Sequence, residues 1–306
     1  MIRALEDLAV TAIIIAERDS NYGAVSRYGV EEFVADNIII LRYVLTQERR
    51  RRTIETLKLR GARHGAREYP FAIDETNGVG IITLSDISLT YPSSDVRVSI
   101  GNPDLDVMCG GGAMQGSVTL VSGTIGTSKS LLAIEFLTAG DEHQDAMLIA
   151  FEESEQQIIR NAQSWGHDLG ALQASGRVTL HCRYGPSTTL ERHLAQIINL
   201  LEEHPPTRLV VDGLSALKDV STRRDFLDFL SSLTALVKAR QITTLYTIAP
   251  PLFDFKSATE VEASTLIDAI ILLRYIEIYG ELHRGIAVLK MRGSDHDKRI
   301  RELQIG

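Results

Sequence analysis

At 306 residues the chain is too long for one small domain, and two folded units are expected. Its composition, 44% hydrophobic and 24% charged, is that of an ordinary globular protein. A net charge of −8 with a pI near 5.5 argues against a surface built to neutralise nucleic-acid phosphates.

Met1–Ala16 carries an apolar patch, Val10–Ala16, behind Glu6 and Asp7. The patch is too short to span a bilayer and lacks the layout of a secretory signal. It reads as a buried strand after a helix, in a cytoplasmic protein with no membrane contact. β-Branched runs then alternate with longer helical stretches, which signals an α/β sheet. The candidate strands are Thr11–Ile15, Asn37–Val44, Val118–Val121, Ala146–Ala150, Arg177–His181, Leu209–Val211, Thr243–Thr247 and Ala269–Tyr275. Runs such as Leu209–Val211 are apolar on both faces, as covered parallel strands require. Helices are expected over Glu191–Glu203 and Arg223–Arg240, the second with a core-facing stripe of Phe226, Phe229, Leu230, Leu233, Leu236 and Val237. Cys109 and Cys182 have no metal-ligand spacing and read as free thiols of a reducing compartment, neither a nucleophile.

One unit repeats. VADNIIILRY (34–43) matches LIDAIILLRY (266–275), and LKLRG (57–61) matches LKMRG (289–293). The offset is 232 residues each time, pairing Arg42 with Arg274 and Lys58 with Lys290, and it holds without a gap from Thr11/Thr243 to His64/His296. Residues 1–90 therefore read as the closing part of a domain without its own phosphate loop, and 91–306 as a nearly whole one. The start is expected to be truncated or to lie upstream of Met1. The polar stretch Ser85–Ser99, with Pro92, suits the boundary. The run Glu48-Arg49-Arg50-Arg51-Arg52 reads as a solvated hairpin or an interface stripe.

Residues 116–136, GSVTLVSGTIGTSKSLLAIEF, hold a phosphate-binding loop between an apolar strand and an apolar helix. The pattern G-x-x-x-x-G-K-S/T cradles phosphates on backbone N–H groups, sends Lys to the β and γ oxygens and puts a hydroxyl on Mg²⁺. Gly123, Thr124, Ile125, Gly126, Thr127, Lys129, Ser130 and Leu131 fit, but Ser128 stands where the second glycine belongs. A Cβ there is expected to crowd the loop or force a strained φ, weakening nucleotide binding without abolishing it. Downstream, MLIAF ends in Glu152-Glu153 and RLVV ends in Asp212. Ligands of an open α/β sheet sit at the carboxyl ends of strands. Asp212 suits a Walker B role, with Ser130, Glu152 and Asp212 around Mg²⁺, and a Glu beside it can take a proton.

Over nearly its whole length the chain resembles the KaiC family of circadian clock ATPases and autokinases, RecA-superfamily proteins with two tandem ATPase domains. The resemblance rests on YGVEEFVADN (28–37), ERRRRTIETLKLRG (48–61), EYPFAI (68–73), VRVSIG (96–101), MCGGG (108–112), FEES (151–154), RNAQSWG (160–166), VVDGLSAL (210–217), LLRYIEIYGE (272–281) and KMRGSDHDK (290–298). It implies a RecA-like α/β P-loop fold, a mostly parallel sheet with helices on both faces, preceded by the end of a second copy. It implies ATP and Mg²⁺ as cofactors and Glu152, with Glu153 beside it, as general base. Trp165 lies near the adenine, or else is a partly buried anchor after a helix.

The resemblance also implies that Lys290 and Arg292 reach the γ-phosphate bound by a neighbouring subunit. Ser264 and Thr265 would accept phosphate from that nucleotide, with Thr259 as a transient acceptor. Their first-repeat counterparts, Glu32 and Phe33, cannot be phosphorylated. The implied partners are further copies or other KaiC-like subunits and Kai-type clock proteins. The family tail that binds the activator KaiA is not expected after Gly306, and Lys218-Asp219 stands where the family tends to carry an Arg. A nucleotide-poor interaction protein that joins KaiC rings through its Arg-rich first segment is the alternative. A nucleic-acid-dependent motor is disfavoured by the acidic charge and the lack of a basic aromatic loop.

Overall fold

A computed structural model describes residues 10–18, 20, 22–23, 31–46, 49–65, 68–74, 78–81, 94–140, 145–185, 188–249 and 265–304. The chain divides into two units, residues 1–83 and 84–306.

In the first unit a short helix, α1 (Glu31–Val34), precedes four antiparallel strands in sequential order: β1 (Asn37–Thr46), β2 (Arg49–Leu59), β3 (Glu68–Asp74) and β4 (Gly78–Ile81). The arginine run is the opening of β2. It alternates across the pleat, so Arg50 and Arg52 lie over the Tyr43 ring, 5.1 and 4.8 Å from its centroid. Arg42, on the opposite face, is buried and paired with Glu55 at 2.5 Å.

The second unit opens with a two-stranded ribbon, β5 (Arg97–Val98) and β6 (Ala113–Met114), around helix α2 (Pro103–Met108). Then follow β7 (Val118–Gly123), α3 (Lys129–Thr138), β8 (Ala146–Ala150), α4 (Glu155–Ser164), α5 (Leu169–Ala174), β9 (Val178–Cys182), α6 (Leu190–Glu203), β10 (Arg208–Asp212), α7 (Leu214–Lys218), α8 (Arg223–Ala239), β11 (Thr243–Ile248), β12 (Ala269–Ile278), β13 (Glu281–Met291) and β14 (Arg301–Glu302). The sheet order is β14-β13-β12-β7-β11-β10-β8-β9. β12 through β9 are parallel neighbours, while β13 and β14 add antiparallel edges. This is the RecA-like α/β architecture.

Every residue of β7, β8, β10 and β11 is buried, so both faces of the central sheet are covered. Val210 and Leu245 join a cluster with Leu132, Ala133, Phe136 and Leu137 of α3. Their strand neighbours Leu209, Val211 and Tyr246 point the other way by the period of two, where α8 buries Phe226, Phe229 and Leu233.

The repeat is visible in the backbone. β1 pairs with β2 and β12 with β13 in the same register at the 232-residue offset, down to a bulge after Ile38 in one and after Ile270 in the other. Lys58 donates to the Ala35 carbonyl at 2.8 Å, and Lys290 to the Ile267 carbonyl at 2.6 Å.

The expected buried strand Thr11–Ile15 is not one. Residues 10–18 have no strand pairing, and Ile13 and Ile15 are 90% and 91% exposed. The counterpart, β11, is held between β10 and β7 on both sides. Among the described residues no strand pairs with the apolar run. The helix expected ahead of it lies outside the described residues.

Asp268, at the start of β12, ties the sheet to its helices. Its carboxylate accepts from the Val118 N–H at 2.9 Å, pairs with Lys238 of α8 at 2.8 Å, and accepts from Arg292 at 3.3 Å. Its repeat counterpart Asp36 pairs with Arg60 at the surface, at 2.9 Å. Removing one member of a buried pair strands the other charge, whereas an exposed pair is worth little. Asp268→Ala is therefore expected to cost about 3 kcal/mol and Asp36→Ala less than about 1 kcal/mol in urea unfolding. Equal costs would contradict the role given to Asp268.

Candidate functional site

The loop from β7 to α3 turns through two left-handed residues, Gly126 (φ +81°) and Ser128 (φ +76°, ψ +31°). For a serine this backbone puts Cβ against the following carbonyl, a cost of about 1–2 kcal/mol. Ser128 is the N-cap of α3 and makes no side-chain cap bond that would offset it. Inside the turn, buried Thr127 donates its hydroxyl to the Thr124 carbonyl at 2.7 Å. Ile125 stands exposed at the tip, and Leu131 is buried in the first turn of α3.

Lys129 Nζ donates to the carbonyls of Gly123 at 2.8 Å and Thr124 at 3.0 Å, which holds the ammonium against the loop. Partial burial lowers its pKa, and the negative charges of Asp212 and Glu152 oppose that shift. Ser130 Oγ donates to Asp212 Oδ2 at 3.3 Å. Asp212 is buried at the carboxyl end of β10. Its Oδ1 accepts a short hydrogen bond from Thr247 Oγ1, and that hydroxyl accepts in turn from the Gly213 N–H at 2.9 Å. Burial raises the Asp212 pKa, while the Thr247 and Ser130 bonds and the Lys129 charge hold it down. A magnesium ion takes one or two carboxylates plus phosphate and water oxygens. The Ser130 hydroxyl beside a buried, anchored carboxylate fits that donor set.

Glu152 and Glu153 follow β8, next to Asp212, because the Phe151 N–H donates to the Asp212 carbonyl at 3.1 Å and stitches the two strand ends together. Gly213 is left-handed (φ +80°), and a Cβ there would fall 2.9 Å from Glu152 Cγ, so only glycine leaves room for that side chain. Packing around the Glu152 carboxyl raises its pKa, and the Asp212 charge raises it further; Lys129 and the Ala216 N–H work against them. Glu153 is likewise raised by burial and then by Asp212, and Asn161 Nδ2 donates to it at 2.9 Å. Both carboxyls are thus raised by burial and by Asp212, and Glu152 is the one beside Lys129.

The structure brings together Gly123–Leu131, Glu152, Glu153 and Asp212. It does not bring Lys290, Arg292 or Thr265 to them. Those three sit where Ala269 is in register with Thr119 and Met291, at the opposite end of β7 from the loop. A six-residue strand makes that separation about 16 Å. There Arg292 donates to the Thr265 carbonyl at 2.7 Å. Ser264 and Thr259 lie outside the described residues. Trp165 caps α4 and packs, half-buried, on the core, and among the described residues no hydrogen bond joins it to the loop. Both cysteines are free, and burial pushes Cys109 to about 12 and Cys182 to about 11, so both stay protonated. Sequence reasoning missed Thr247, Gly213, Tyr275 and Arg284. No local pattern marked them: Thr247, for one, is one of three threonines in β11.

Loop, buried aspartate and adjacent glutamate at the carboxyl ends of parallel strands define a P-loop nucleotide-binding fold of the RecA-like class. A family model described as "ATPase: KaiC" matches residues 1–86 and 98–306. The chain is 50% identical over 304 residues to circadian clock protein KaiC3 of Synechocystis sp., covering 99% of this chain and 60% of that protein. It is 44% identical over 307 residues to the circadian clock oscillator protein KaiC of Prochlorococcus marinus, covering 100% and 61%. With that of Thermostichus vulcanus it shares 46% over 303 residues, covering 98% and 58%. The chain belongs to the KaiC family. It spans about three fifths of the length of these curated relatives. Among the described residues no helix is long and apolar enough to cross a membrane.

Replacing Ser128 by glycine removes the left-handed strain at the expense of some unfolded-chain entropy. Ser128→Gly is expected to stabilise the second unit by about 0.5–1 kcal/mol, read as a higher Tm. A lower Tm would mean that the serine side chain contributes something the geometry does not reveal.

Proposed function

We propose that the chain is a KaiC-type ATPase that also transfers the γ-phosphoryl group of ATP to Ser264 and Thr265 of an adjacent subunit. The carrying observation is the convergence of Lys129, Ser130, Asp212 and Glu152 on one loop. In this reading the loop N–H groups and Lys129 hold the phosphates, and Ser130 with Asp212 would hold Mg²⁺, which would supply positive charge to the transferring phosphoryl group. Glu152 takes the proton from the attacking oxygen, either of water or of an acceptor hydroxyl. A new P–O bond forms as the bond to the β-phosphate oxygen breaks, and ADP leaves.

The two-subunit arrangement is supported by the polarity of the sheet. Lys290, Arg292 and Thr265 stand about a strand length from the loop of their own chain. Their charge and hydroxyl can serve a triphosphate only when another copy presents it, as an arginine finger does. A phosphate on Thr265 would add about −1.5 to −2 charge beside Arg292. The names of the relatives add a clock context, with self-association and Kai-type partners as the corresponding expectation.

Incubation with Mg²⁺ and γ-labelled ATP tests this. Label on the wild type that is lost in Ser264→Ala/Thr265→Ala supports the transfer. Neither label nor turnover supports the non-catalytic interaction protein, a reading that the strained Ser128 favours. Because Glu152 must be ionised to act, and its pKa is raised, turnover should fall on acidification with a midpoint above the ordinary glutamate value. Glu152→Gln should lower turnover about 10²–10⁴-fold and leave nucleotide affinity nearly unchanged. A pH profile that is flat down to the ordinary glutamate range would remove Glu152 as the base.

A further inference from the structure

The carbonyl oxygen of Gly126 accepts two hydrogen bonds from outside the loop. Tyr275 Oη of β12 donates at 2.8 Å, and Arg284 Nε of β13 donates at 3.2 Å. Tyr275 and Arg284 are register partners across the β12–β13 hairpin, so one rung of that hairpin grips the peptide two residues ahead of Ser128. The approach is close: a Cβ on Gly126 would lie 2.7 Å from Tyr275 Oη and would have to displace it. The same pair recurs at the same register in the first unit, as Tyr43 and Arg52. The rung therefore belongs to the repeated hairpin.

Two consequences follow for the loop. A carbonyl held by two donors cannot swing into the cradle, where its partial negative charge would repel phosphate. The fixed peptide also restrains the turn in which Ser128 must stay left-handed, a conformation that serine abandons more readily than glycine. We infer that Tyr275 and Arg284 are positioning residues that hold the loop in its phosphate-accepting turn, and that this hold matters because residue 128 is a serine. The inference rests on the reading of the loop as a nucleotide site. It adds an energetic coupling between the hairpin rung and residue 128.

The test is a double-mutant cycle on the full chain, with Tyr275→Phe, Ser128→Gly and the double variant beside wild type. Tyr275→Phe removes one hydroxyl and keeps the ring. Titration with a fluorescent ATP analogue and Mg²⁺ should show affinity weakened about fivefold by Tyr275→Phe in the serine background, as for one lost hydrogen bond, and by less than about twofold in the glycine background. Equal losses in both backgrounds, or no loss with serine, overturn the inference. Amide hydrogen exchange over residues 124–130 without nucleotide provides the second arm. It should be about fivefold faster in Tyr275→Phe and restored in the double variant. If none of the proteins binds the analogue, the nucleotide reading fails. The exchange arm still decides the clamp: acceleration confined to the serine background supports it, and unchanged exchange overturns it.

Discussion

Strand β7 is the member on which the second unit depends, because it is fixed at both ends by different chemistry. At its start, the Val118 N–H is held by the carboxylate of Asp268, which also binds Lys238 and Arg292. At its end, Gly123 hands the chain to a loop whose lysine folds back on the Gly123 carbonyl. Parallel neighbours on both sides prevent the strand from sliding without dragging β11 and β12 with it. The distance between the two ends is therefore a fixed quantity. It separates the phosphate loop from the Lys290–Arg292 corner within one chain, and it makes the proposed chemistry a question about two chains.

At the loop end, the structure accepts costs that a purely structural design would avoid. Asp212 is buried, which raises its pKa, and hydrogen bonds from Thr247 and Ser130 and the nearby Lys129 oppose that rise. Two further carboxyls, Glu152 and Glu153, crowd the same strand ends. Ser128 occupies a backbone conformation that suits glycine. Buried carboxyls gathered at strand ends mark a candidate binding site, whereas the left-handed Ser128 is a departure from the glycine that such a loop prefers.

The central strands were legible because burial on both faces writes itself into short apolar runs, as in β8 and β10. The loop and Asp212 were legible because their types follow strand ends. The return strands of the edge hairpins were less so: Asn37–Val44 and Ala269–Tyr275 were expected as strands and the arginine run as a solvated hairpin or an interface stripe, but the full extent of β2 and β13 was not. Arg49–Leu59 and Glu281–Met291 carry charges on an exposed face and do not look like core strands. Thr11–Ile15 misled for the opposite reason. Its pattern is that of β11, but an apolar run becomes a strand only when neighbours supply a ladder. Likewise Ile39 is 61% exposed while its repeat counterpart Ile271 is fully buried: β12 has β7 beside it, and among the described residues no strand lies on that side of β1. Thr247 and the Tyr275–Arg284 rung act through contacts between elements distant in sequence, and no local pattern announces them.

Subunit mixing tests the two-chain claim most directly. Lys129→Ala chains, with acceptor hydroxyls but an impaired loop, would be combined with Ser264→Ala/Thr265→Ala chains, which have the loop but lack both stable acceptor hydroxyls, and given γ-labelled ATP and Mg²⁺. The account predicts label on Ser264 or Thr265 of the Lys129→Ala chain, and only in the mixture. Label on wild type alone, with none in the mixture, would mean that phosphate passes within a single chain and would contradict it.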